Sequence, residues 1–250
     1  MFQKTTLYIP FAILLIIATV QLALVSRMVA FLHIQKTEIG TYYILNTNTS
    51  PTDSNGFYLH VLPEKLSLNQ GHVTNGAAGY GVVMSIASLV ACVFLRRDAY
   101  HQRHKVILLA ITIAISLLVL FILTALTYVL AVTYLTIDNK IDIDNKIDID
   151  IARTLSPTGP QVVAYNIDSW TPETWYQALL LLPLEVSTES MLSAAVSEMV
   201  AWRAWVTLYE IVAMVVTWWT GMTYLREWKR EEEEEEEFVT YRIGIAERRK

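Results

Sequence analysis

Two ionisable side chains stand within long apolar runs of this 250-residue chain, Arg27 in the first run and Glu210 in the last. Runs of roughly 20 apolar residues are long enough to cross a ~30 Å hydrocarbon core as helix. A charge held there is costly, so it marks either a paired group or a path for a proton or ion. Glu210 follows Ala204, the outer end of its run, by six residues, which is about 9 Å of helix at 1.5 Å per residue. Arg27 lies at a similar depth if its helix continues to His33. An intramembrane ion pair between Arg27 and Glu210 is therefore expected, because each charge lowers the cost of burying the other. Simple snorkelling of the two side chains and an ion or proton pathway through Glu210 are the alternatives.

Other reactive residues form no catalytic set. Asp98, His101 and His104 are spaced i, i+3, i+6, which on a helix would align three metal ligands along one side. The adjacent Arg97, Arg103 and Lys105 would repel a cation, so a polar connector is expected and no metal or cofactor. Cys92 is the single cysteine. It excludes an intramolecular disulfide, and with it the paired lumenal cysteines of tetraspanins and claudins. Its place just before Arg96 suits lipidation by S-acylation, and inert packing is the plainer reading. Asn48-Thr49-Ser50 is an N-glycosylation acceptor, with Pro51 directly after it. There is no phosphate loop, zinc-protease helix, nucleophile elbow or dinucleotide fingerprint. A non-enzymatic protein is expected.

The elements that must carry these residues follow from composition. Apolar residues make up 54% of the chain and charged residues 17%, against the usual quarter charged. The deficit is concentrated in four runs, which excludes a soluble globular enzyme, a nucleic-acid binder and a disordered chain as descriptions of the whole. The expected spans are residues 8–33, 77–95, 106–135 and 204–225. The first, preceded by Lys4, has a long apolar core and no small-x-small exit, so an uncleaved anchor is expected rather than a signal peptide. Cationic residues set the orientation. Lys4, the connector residues Arg96, Arg97, Arg103 and Lys105, and the tail from Arg226 to Lys250 are dense in Lys and Arg, whereas the two long loops are not. The expected order is a cytoplasmic N-terminus (1–7), an extracellular or lumenal loop (34–76), a cytoplasmic loop (96–105), a second outer loop (136–203) and a cytoplasmic charged tail (226–250).

Within the first outer loop, GTYYIL at 40–45 and FYLHVL at 57–62 flank the turn-forming SPTDSNG. That pattern predicts a β-hairpin. The second outer loop opens with IDNKID at 137–142, repeated at 143–148. The acidic ribbon of Asp138, Asp142, Asp144, Asp148 and Asp150 could attract calcium, but it lacks the glycine turn and closing glutamate of an EF-hand, and a solvated duplication is expected. Farther on, the ten residues from Trp175 to Leu184 are too few to span, predicting an interfacial or re-entrant helix broken at Pro183. Trp170, Trp175, Trp202 and Trp205 are expected to form an aromatic belt at headgroup level. In the second span Gly81, Ser85, Ser88 and Cys92 form a stripe of small residues suited to close helix packing, within the bundle or between copies, and Ala110 and Ala114 could add a similar surface. The tail holds seven successive glutamates, Glu231 to Glu237, expected to be solvated and able to receive a basic cytosolic partner.

LSLNQGHVTNGAAGYG at 66–81 and WTPETWYQALLLLPL at 170–184 give the chain a resemblance to an uncharacterised family of filamentous-fungal four-span integral membrane proteins, over roughly residues 40–225. The resemblance implies no activity, so it assigns no role to Asn69, Gln70, Gly71 or His72. The IDNKID repeat and the glutamate run look like additions to that pattern. Four-span proteins of the MARVEL type are similar in topology alone.

These observations predict an all-α membrane protein of four transmembrane helices in a bundle, with a small lumenal β-hairpin and interfacial helices. The expected function is that of a membrane organiser or accessory subunit in the plasma membrane or an endomembrane. Its partners would be the bilayer, a membrane protein or further copies of itself, and a cytosolic protein at the tail. A small oligomeric transporter or channel subunit using Glu210 is the second expectation.

Overall fold

The computed structural model describes residues 7–45, 57–95, 104–141 and 168–248. The glycosylation acceptor at Asn48, the hairpin turn, Asp98 and His101, and nearly all of the acidic repeat lie outside them. The four apolar runs form the long helices α1 (Tyr8–Ile34), α2 (Asn69–Leu95), α3 (His104–Thr136) and α5 (Val186–Arg248), and the short helix α4 (Pro172–Leu179) precedes the last. All four long helices are long and apolar enough to cross a membrane. Helix is the expected solution there, because within hydrocarbon every backbone N–H and C=O must be satisfied inside its own segment.

Two of the helices overrun their expected bounds. Helix α2 begins at Asn69 rather than Ala77, so the NQGH segment forms its first turn. Helix α5 is 63 residues long and begins at Val186, well before Ala204. Ser187, Thr188, Glu189, Ser190, Ser193 and Ser197 dilute the hydropathy of that stretch and hide it from a search for spans. Residues 186–203, expected as part of an outer loop with interfacial helices, are thus helical and continuous with the fourth apolar run. The glutamate run is likewise helical, continuing α5 to Arg248.

Helix α1 ends in one π-helical turn, Gln35–Ile39, closed by Gly40. Gly40 has φ of 72°, a conformation that side chains with a Cβ rarely adopt. It turns the chain directly into β1 (Thr41–Ile44), which pairs antiparallel with β2 (Phe57–His60) in the register Tyr42 to Leu59 and Tyr43 to Tyr58. The predicted hairpin strands are therefore present. Period-two alternation buries Tyr42 and Ile44 with Leu59, and the Tyr43 and Tyr58 rings meet on the other face, 5.2 Å between centroids.

The chain divides into two compact units. The helical unit comprises Met1–Thr19, Ala77–Leu123 and Leu208–Lys250. Its core includes Phe11, Leu14, Ile115, Leu118 and Tyr209. The sheet-bearing unit comprises Val20–Gly76 and Thr124–Thr207 and contains the hairpin and α4. Trp170, Trp175, Tyr176 and Leu179 are fully buried in it.

Candidate functional site

In the sheet-bearing unit, α4 is the element that organises the polar groups. Thr171 caps it: its hydroxyl accepts the Thr174 N–H at 3.1 Å, while the Thr171 N–H donates to the Thr174 hydroxyl at 3.1 Å. The same Thr174 hydroxyl donates to Thr136 at the end of α3, 3.1 Å away. Trp175 donates its indole N–H to the Val61 carbonyl at 2.9 Å, and its ring meets that of Trp170 edge-on at 5.2 Å. The Trp170 N–H and C=O bond to Lys65 and Ser67, fastening the start of α4 to the segment that leads into α2. Gln35 in the π turn accepts the Tyr42 hydroxyl and donates to the Met191 sulfur at 3.6 Å.

Of the four tryptophans expected at headgroup level, three are covered by protein and Trp205 is half-buried. Trp170, Trp175 and Trp202 are buried by protein, because α4 carries Trp175 inward, the backbone bonds to Lys65 and Ser67 hold Trp170 just before it, and α5 starts early enough to include Trp202. The short helix itself is present at Pro172–Leu179, ending before Pro183, but its side chains are enclosed by the fold.

Glu173 is buried beside Arg203, 3.2 Å between Nη2 and Oε1, and accepts a longer bond from Gln177 at 3.4 Å. Burial pushes its carboxyl above the usual range, and the Arg203 guanidinium and the Gln177 bond pull in the other direction. The sequence pattern does not point to this pair, since Glu173 and Arg203 stand thirty residues apart in an outer loop expected to carry separate interfacial helices. The signal was available in Thr-Pro-Glu-Thr, a capped helix start with a carboxylate in its first turn.

A cavity of about 210 Å³ lies in the same unit, between the end of α1 and the start of α2. Met28, Leu32, Leu66 and Leu68 are among its apolar lining residues, and His33, Lys36, Gln70 and His72 line it as well. His33, Lys36 and His72 are exposed, whereas Gln70 is buried and its Oε1 has no hydrogen-bond partner.

The expected pair of Arg27 with Glu210 is not formed. Arg27 Nη2 bonds instead to Glu198 Oε1 at 2.7 Å, and both Glu210 oxygens are buried without a hydrogen-bond partner. The early start of α5 is the reason: it brings Glu198, assigned by sequence to a loop, onto a helix in the same unit as Arg27. Cys92 is buried, with 1% of its surface exposed. Packing accounts for it, and acylation would require that helix face to turn outward. The rest of the small-residue stripe also faces inward: Ser85 and Ser88 are buried, and a Cβ at Gly81 would run into the Tyr209 phenol, which donates to the Ala77 carbonyl at 3.2 Å. His104 is buried at the start of α3, and no cluster of metal-ligating side chains occurs among the described residues.

The four apolar helices and their outward-facing Ile, Leu, Val and Trp side chains define a multi-pass membrane protein. No protein-family model, curated protein or solved structure matches the chain.

Proposed function

We propose that the chain is a non-enzymatic accessory subunit or organiser of the membrane, with both termini on the cytoplasmic side of a plasma membrane or endomembrane. The supporting observation is helix α5, which runs from Val186 through its apolar span and on to Arg248 without a break. Beyond the span it exposes Phe238, Val239 and Tyr241 just after the glutamate run. An acidic helix with an apolar patch beside it suits a basic partner that presents an apolar contact of its own. Continuity with the span would let such a partner be held at a set distance from the bilayer.

Native mass spectrometry of the complex, extracted mildly from its own membrane, tests this. The accessory reading expects a second protein in the complex that is lost when Phe238 and Tyr241 are both changed to Ser. A complex containing only copies of this chain, unaffected by those changes, would overturn it.

Glu210 favours a second reading, a small oligomeric transporter or channel subunit. A buried intramembrane carboxyl with both oxygens unbonded is the kind of group that carries ions or protons. Flux in proteoliposomes that Glu210→Gln abolishes would support it, and equal flux in wild type and variant would remove it. Kinship with filamentous-fungal four-span proteins remains part of this proposal, supported by the segments at 66–81 and 170–184.

A further inference from the structure

The end of helix α5 carries a pattern that is complementary to itself. Beyond the apolar span Phe238, Val239, Tyr241 and Arg242 are exposed, and the Arg242 guanidinium lies over the Phe238 ring at 5.0 Å. Phe238 and Tyr241, three residues apart, share one side of the helix. Before this aromatic pair stands the run Glu231 to Glu237. After it the sequence turns basic, with Arg242, Arg248, Arg249 and Lys250 against the single acid Glu247. The segment thus carries opposite charge on the two sides of an exposed apolar contact.

We propose that this segment pairs antiparallel with the same segment of a second copy embedded in a facing membrane, and so tethers two bilayers. The proposal rests on the organiser half of the reading above and names the basic partner as the chain itself. Charge selects the direction. Two parallel copies would set one glutamate run against the other, and like charges facing each other across an interface are repelled. In the antiparallel pair, with its two-fold axis between Val239 and Thr240, Phe238 of each copy meets Tyr241 of the other, and Arg242 comes alongside the other copy's glutamates. Continuity selects the facing membrane. Helix α5 runs from its span to Arg248 without a break, so two copies in one bilayer point their ends the same way, and only copies in facing bilayers meet head to head. The axis lies about 14 residues past Leu225, ~21 Å of helix, which keeps paired bilayers no more than about 40 Å apart. The contact made by one pair is small, so a tether depends on many copies acting together.

The test is clustering of dioleoyl phosphatidylcholine vesicles that carry the purified full-length chain and no other protein, followed by light scattering, with the bilayer spacing read by electron cryomicroscopy. Wild-type vesicles should cluster. Changing Phe238 and Tyr241 together to Ser, at exposed positions, should abolish clustering. A polarity-swapped chain, with every glutamate from Glu231 to Glu237 changed to Lys and Arg242, Arg248, Arg249 and Lys250 changed to Glu, supplies the decisive comparison. It should cluster with itself and, under two fluorescent labels, segregate from wild type, because the antiparallel register then sets like charge against like. General attraction between oppositely charged chains, or a parallel pair, predicts the reverse. Wild-type vesicles that stay dispersed, clustering that survives the Phe238 and Tyr241 changes, mixed clusters of wild type with the swapped chain, or a spacing well above about 40 Å overturns the tether. If vesicles stay dispersed while the native complex still holds a second protein through Phe238 and Tyr241, the tether falls and the accessory reading stands. Clustering without any second protein in the native complex supports the tether and removes the accessory subunit.

Discussion

Gly81 and Gly79 form a matched pair that isolates the effect of close packing on one helix. A Cβ at Gly81 meets the Tyr209 phenol, with Ala18 Cβ 3.3 Å away, whereas a Cβ at Gly79 has nothing within 4 Å. Gly79→Ala should therefore stabilise by about 0.5–1 kcal/mol, the helix-propensity gain. Gly81→Ala should instead cost about 1–3 kcal/mol through overpacking. Thermal unfolding of the two variants checks the opposite signs, and Tyr209→Phe in the Gly81→Ala background should recover part of the loss.

Glu173 gives a second residue-scale test, through pH. Its carboxyl is raised above 4.5 in the folded protein by burial, so the folded state holds that proton more tightly than the unfolded chain. The resulting stabilisation is complete below the unfolded value and is lost as pH rises through the folded one. The Tm of wild type minus that of Glu173→Gln should thus be largest in acid and shrink toward neutral pH. A difference that grows with pH would mean that Arg203 outweighs burial. Arg27 and Glu198 give a third test: the double reversal Arg27→Glu with Glu198→Arg should restore the folded yield that either single reversal lowers, and Glu210 should not substitute for Glu198.

At the scale of elements, α4 depends on its cap. Thr171→Ala removes the acceptor of the Thr174 N–H and should cost about 1 kcal/mol, with faster hydrogen exchange at Thr174 and little change in the hairpin. Thr171→Ser should behave as wild type. Most elements were legible from pattern. Apolar run length located the spans, and aromatic and branched residues on either side of SPTDSNG located β1 and β2. The first 18 residues of α5 were not legible, because serine, threonine and glutamate lower the hydropathy of a segment without preventing it from being helical. That misplaced start explains the other errors: it hid Glu198 as the partner of Arg27, and it put Arg203 and Trp202 in a loop.

For the whole molecule, the density of Lys and Arg beside the spans predicts which side each end occupies. A protease-cleavable tag after Lys250 should resist protease added to intact cells and become sensitive on permeabilisation. Cleavage on intact cells would reverse the orientation and place the acidic end of α5 outside. The exposed apolar faces of the long helices need no partner protein in a bilayer, since lipid tails cover them. The exposed Phe238, Val239 and Tyr241 lie beyond the apolar span, where lipid tails do not cover them.

The sequence by itself determined that the chain is a four-span helical membrane protein with a small hairpin. Hydrocarbon imposes a length and an internally bonded backbone on any segment that crosses it, and both are written in contiguous residues. Tertiary structure decided the partners: Arg27 with Glu198, Glu173 with Arg203, Tyr209 against Gly81, three indoles packed against protein, and Gln70 beside a cavity. Each of these depends on where a helix starts and which way it faces in three dimensions. A shift of one residue rotates a helix by about 100°, so composition can be right about a span while leaving its contacts open.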